Sequence, residues 1–85
     1  MPYITPSDRS RYDSALSAVP PARSKGELNY LISKLFKAYI DANGTSYATL
    51  SDCTGAGTDA VEEFRRRIMN PYEDTKIASN GDIYQ

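Results

Sequence analysis

Eighty-five residues make one small domain, and a chain of that length buries only about 60–65% of its unfolded surface. Ten basic against eleven acidic side chains leave a net charge of −1, which argues against general nucleic-acid binding through phosphate neutralisation. Histidine is absent, removing the commonest general base and metal ligand, and a single cysteine, Cys53, allows neither an intrachain disulfide nor a thiolate metal site.

Self-association is a usual remedy for so small a core, so a homo-oligomer is expected. No apolar run approaches the roughly 20 residues of a membrane span, and Met1-Pro2-Tyr3-Ile4 begins nothing like a signal peptide. Together with the lone cysteine, this points to the cytoplasm and away from membranes.

In chain order, Thr5-Pro6-Ser7-Asp8 opens a first helix over about residues 6–18. Thr5 can cap, proline is tolerated at the first position, and Asp8 sits near the positive end of the dipole. Tyr12, Leu16 and Val19 recur at helical spacing until Pro20-Pro21 stops the element.

Ser24-Lys25-Gly26-Glu27 is a capping box opening a second helix over about 24–42. Leu28, Leu31, Ile32, Leu35, Phe36, Tyr39 and Ile40 follow on one face, and Asn43-Gly44 supplies the stop. This helix is expected to form the core.

A third helix is expected over about 47–69, opening at Ser46. Leu50, Cys53, Thr54, Gly57, Val61, Phe64 and Ile68 form its apolar stripe. The register holds through Gly55-Ala56-Gly57, favouring one continuous helix; the competing reading breaks it near Gly55–Thr58. Asn70 then caps a short fourth helix over about 71–79 with Pro71 first, Asn80-Gly81 ends it, and Asp82-Ile83-Tyr84-Gln85 leaves as an extended tail. No segment alternates with period two. The expected fold is all-α, a small helical bundle of three main helices plus a short C-terminal one in a single domain.

No catalytic residue and no metal ligand set can be defended, and no cofactor is expected. Glu62 with Arg66 and Glu63 with Arg67 stand at i, i+4 and read as a solvated face. Arg65 lacks such a partner and flanks the apolar stripe, so it is a candidate ligand contact. Arg23 and Lys25 place cations where the helix dipole opposes them, which a bound anion would explain. Asn29, at the edge of the apolar stripe, Tyr30 beside Lys34 and Lys37, and Tyr72 complete the candidate ligand set. Glu73, Asp74, Lys76, Asn80 and Asp82 form a polar C-terminal group expected to meet a partner.

Met1-Pro2-Tyr3-Ile4, Gly26-Glu27-Leu28-Asn29-Tyr30, Tyr47-Ala48-Thr49-Leu50 and Pro71-Tyr72-Glu73-Asp74-Thr75-Lys76-Ile77 with Asn80-Gly81-Asp82 together resemble one family. It is a group of small, largely uncharacterised proteins of tailed bacteriophages and bacteria. Its members often carry bulkier residues in place of Gly55-Ala56-Gly57, and it brings no activity with it. The resemblance implies a phage setting.

Two expectations follow. One is a non-enzymatic oligomer that sequesters a small anionic nucleotide, an immune signal, as an anti-defence sponge. The other is a protein-interaction module that binds and inhibits a host protein or assists an assembly.

Overall fold

A computed structural model describes residues 4–84. The start of the first family-like motif, with Tyr3, and the terminal Gln85 lie outside the described residues. Every regular element among the described residues is helical, so the fold is all-α. Three helical runs form it: α1 (Pro6–Ser17), α2 (Lys25–Asn43), and α3 (Tyr47–Phe64) continuing through a π-turn (Arg65–Met69) into α4 (Asn70–Asn80). The chain divides into two compact units, residues 1–53 and 54–85.

In the first unit the caps form as their residue types dictate. Thr5 is extended, its hydroxyl accepts from the Asp8 amide at 3.4 Å, and Pro6 takes the first helical position. α1 closes where Ala18 donates to Ser14 and Ala15 and Val19 to Leu16, just ahead of Pro20, which disfavours helical backbone before it. The capping box of α2 closes in both directions. The Glu27 amide donates to Ser24 Oγ at 3.1 Å, and the Glu27 carboxylate accepts from the Arg23 amide at 2.8 Å. α2 ends at Gly44, whose φ of 86° and ψ of 161° lie in a region essentially restricted to glycine. Ser46 and Thr49 then start α3 with a second reciprocal cap: the Thr49 amide donates to Ser46 Oγ at 3.1 Å and the Ser46 amide to Thr49 Oγ1 at 3.0 Å.

α2 and the opening of α3 form a helical hairpin held by two contacts. Tyr39 Oη donates to Asp52 Oδ2 at 2.8 Å, and Cys53 Sγ lies 3.9 Å from the Phe36 carbonyl oxygen. Cys53 is buried, and Leu31, Phe36 and Ile40 are half-buried. The expectation that α2 supplies a closed core is corrected here. Leu28, Ile32, Leu35 and Tyr39, at the centre of its apolar face, stay exposed, Leu35 by 65%. Phe36 and Ile40 lie on the flank of that face nearer the hairpin contacts, and Leu31 on the opposite flank. Tyr47 is 90% exposed at the first position of α3.

The second unit begins inside α3, which remains helical through Gly55-Ala56-Gly57. A Cβ built on Gly55 meets nothing within 4 Å, so that glycine is not there to admit a neighbour. The expected break at Asn70-Pro71 does not occur. Asn70 has φ −63° and ψ −46°, is itself helical, and does not cap. Pro71 therefore sits inside a helical run, where it lacks the N–H that would bond the Arg67 carbonyl and its ring crowds that group. The backbone answers by widening: the Asn70 amide reaches back five residues to the Arg65 carbonyl, and one π-turn absorbs the proline.

The tail is also corrected. Gly81, at φ 89°, ends α4 with its amide on the Ile77 carbonyl at 2.8 Å. The chain then turns rather than extending, because Asp82 Oδ1 accepts from the Tyr84 amide two residues on, at 2.8 Å.

Candidate interaction surfaces

Helical spacing decides what α2 presents. Leu28, Ile32, Leu35 and Tyr39 follow at i, i+4, i+7 and i+11, the 4-3-4 rhythm of the seam along which helices pair in coiled coils. All four side chains are exposed, although the Tyr39 hydroxyl reaches Asp52 of α3 at 2.8 Å, and the flanking Phe36 and Ile40 are half-buried. Along α3 and into the π-turn, Leu50, Val61, Phe64 and Ile68 keep the same sequence spacing and are exposed by 49–58%, with the small Thr54 and Gly57 between the first two.

The accessible area carries the same message. Among the described residues, eighteen large hydrophobic or tyrosine side chains are substantially exposed, against one buried hydrophobic residue, Cys53. At about 25 cal/mol for each Å² of apolar surface, that leaves a large driving force unused by the isolated chain.

A second surface lies at the end of α4. The Asp82 turn brings Ile83 and Tyr84 round to a shallow hollow of about 320 Å³ bounded by Glu73, Lys76, Ile77 and Asn80. Of the polar group read from the sequence, Glu73, Lys76, Asn80 and Asp82 meet here; Asp74 does not line the hollow. Ile83 and Tyr84 were missed as site residues. The signal was present in Asp82, whose side chain captures a backbone amide two residues ahead.

The candidate ligand residues divide between the units. In the first, the Arg23 amide is already engaged by Glu27, so the helix start offers one fewer free donor to an anion, while Lys25 is exposed beside it. Asn29 is exposed rather than tucked at the edge of a core, and its Oδ1 meets only Ser33 Oγ at a long 3.5 Å. Tyr30 is 60% exposed with the Lys34 ammonium 5.6 Å from its ring centre. Tyr72 repeats that arrangement in the second unit, with Lys76 at 5.5 Å. Both are i, i+4 pairs that orient a tyrosine face on the surface.

Arg65 opens the π-turn and its guanidinium makes no ion pair or hydrogen bond among the described residues. Of the two expected pairs, Glu63 with Arg67 forms, as an ion pair at 3.6 Å. Glu63 also accepts a hydrogen bond from Arg66 at 3.1 Å, so Arg66 pairs at i, i+3 instead of with Glu62. Glu63 is the more sheltered carboxylate, its side chain 24% exposed, and sits between the two guanidinium groups.

One ionisation is displaced. Tyr39 is raised above the usual value of 10.0, first by its hydrogen bond to Asp52, then by desolvation and by the negative charge of that carboxylate. Among the described residues, no helix is long and apolar enough to cross a membrane, and no three or more Cys, Asp or Glu side chains gather as a metal cluster.

Fold and surfaces together define a class: an all-helical chain that keeps apolar helix faces uncovered and carries a small polar-rimmed hollow at its last helix. The chain belongs to the family described as domain of unknown function DUF6899, whose model matches residues 1–83. No curated protein and no solved structure matches it.

Proposed function

We propose that this protein is a non-enzymatic binding module that works as a homo-oligomer and presents the end of α4 to a further protein. The observation that supports this reading best is the set of exposed, regularly spaced apolar residues on α2 and α3. Such faces are covered by protein in a working assembly, because contiguous apolar patches of this kind mark interaction sites. The resemblance to phage proteins supports a setting in a host cytoplasm, and with it the reading that the assembly binds and disables a host protein or assists an assembly.

Native mass spectrometry of the protein purified from its own host tests this. The expected result is a discrete multiple of the chain mass, with or without a bound protein. A bare monomer at micromolar concentration would contradict it.

A second reading is supported by Arg65, which has no ionic partner among the described residues and stands at a π-turn, a helix irregularity common at functional sites. In that reading the oligomer sequesters a small anionic nucleotide, with Arg65 on the phosphate and an exposed tyrosine of the same unit, Tyr72, against the base. Isothermal titration with cyclic nucleotides and ADP-ribose derivatives tests it. Binding heat that disappears in Arg65→Ala is expected, and no heat from any of them would end the nucleotide reading.

A further inference from the structure

We infer that α2 pairs with α2 of a second copy in antiparallel orientation, about a twofold axis passing between Ile32 and Leu35. This names the self-contact within the homo-oligomer just proposed, and rests on that reading.

The first support is the pattern. In an antiparallel pair of helices, the two kinds of seam position alternate across the interface. A twofold axis between Ile32 and Leu35 sets Ile32 against the second copy's Leu35 and Leu28 against its Tyr39, and sets Lys25 against Ala42. Each contact is repeated by symmetry, which is what an isologous interface requires. Large residues then meet large ones at the centre. At each end the small Ala42 leaves room for the Lys25 stem.

The second support is charge. The residues flanking the seam are Asn29, Leu31, Phe36 and Ala38, all uncharged, so only the seam itself sets direction. A parallel pair would bring two Lys25 ammonium groups into one layer and align the two helix dipoles. The antiparallel pair separates the lysines to opposite ends, about 25 Å apart at 1.5 Å per residue, and opposes the dipoles. Lys37 is engaged with Asp41 of its own helix at 2.6 Å and stays outside the contact.

The third support is area. Leu28, Ile32, Leu35 and Tyr39 are exposed by 40–65% along one face of the 19-residue α2, a run of apolar surface open to be covered by a second copy. α3 is the weaker candidate for the same contact, because Thr54 and Gly57 interrupt its seam with little apolar volume.

Cysteine pairing tests the geometry. Leu28→Cys and Tyr39→Cys chains are made separately, with the buried Cys53 left in place and the unaltered chain as control. Each is oxidised alone and as a mixture, at low concentration and after subunit exchange. The inference expects covalent dimers in the mixture and little in either variant alone, a difference on the order of tenfold or more. Leu35→Glu, read by sedimentation equilibrium, should weaken self-association on the order of 100-fold or more. Leu35→Met, which keeps the apolar volume, should leave self-association nearly unchanged.

Self-coupling of each variant alone overturns the antiparallel arrangement. No coupling in any arm, in a protein that remains oligomeric, overturns α2 as the contact while leaving the oligomeric reading in place. A monomeric unaltered chain overturns both.

Discussion

Asn43-Gly44 and Asn70-Pro71 both carry the signature of a helix boundary, and only the first is one. At Asn43-Gly44-Thr45-Ser46, α2 stops and α3 starts anew. At Asn70-Pro71 the helix continues. The difference lies in what the backbone is offered. At the first site glycine can take φ 86°, and Ser46 and Thr49 then supply a reciprocal cap for the next helix. At the second no residue with positive φ precedes the proline. Met69 and Asn70 are both in helical conformation, and no side chain caps α4. At Asn43-Gly44 a residue can leave the helix and a cap rewards leaving. The single proline at Pro71 is accompanied by neither, and the chain answers there with a wider turn.

The largest effect on this contrast should come from Pro71→Ala. Proline inside a helix costs about 3 kcal/mol relative to alanine, part of which the π-turn already relieves. The variant should gain up to about 2 kcal/mol of helix stability, and the Asn70 amide should move from the Arg65 carbonyl to that of Arg66. Slower hydrogen exchange of the 65–70 amides would show it; unchanged exchange would mean that proline is not what widens the turn.

Gly44→Ala attacks the true boundary. An alanine forced to φ 86° and ψ 161° should cost roughly 1–2 kcal/mol in urea unfolding. A neutral result would mean the connection can be made without that conformation. Gly55→Ala is smaller and opposite in sign. With open space around a built Cβ and helical φ and ψ, it should stabilise by about 0.8 kcal/mol, and a loss would reveal a neighbour in the assembled protein.

The smallest effect concerns pH. Because Tyr39 is raised in the folded hairpin, its contribution is fully present below pH 10 and lost as pH climbs through the raised value. Deprotonation removes the donor to Asp52 and sets two negative charges together. Tyr39→Phe should erase that alkaline loss while leaving neutral-pH behaviour little changed, as followed by circular dichroism. An identical alkaline profile in the variant would assign the loss to another group.

Much of this architecture could be read before the coordinates, for reasons visible at single residues. Ser24 and Glu27 specify a cap through local bonds alone, and both bonds are present. Asn43-Gly44 marks a stop by backbone chemistry, and the apolar rhythm of α2 is that of a helix. What spacing cannot supply is the identity of the covering surface. The same seven apolar positions fit a helix facing its own chain and one facing another, and Leu35 was read as core though it lies open. The end of α4 was half legible. The polar residues were chosen and four of the five gather, yet the Asp82 turn that brings Ile83 and Tyr84 to them was read as an extension. Asn29 was misplaced because an edge position on a wheel says nothing of whether a core stands beside it.

The unfinished apolar surface makes its most direct appearance in the concentration dependence of thermal unfolding. If the exposed residues of α2 and α3 are completed by another copy, the midpoint should climb steadily as protein concentration is raised a hundredfold, with helix content falling at the dilute end. A midpoint and helix signal that stay fixed across that range, in a species sedimenting at the mass of one chain, would contradict it.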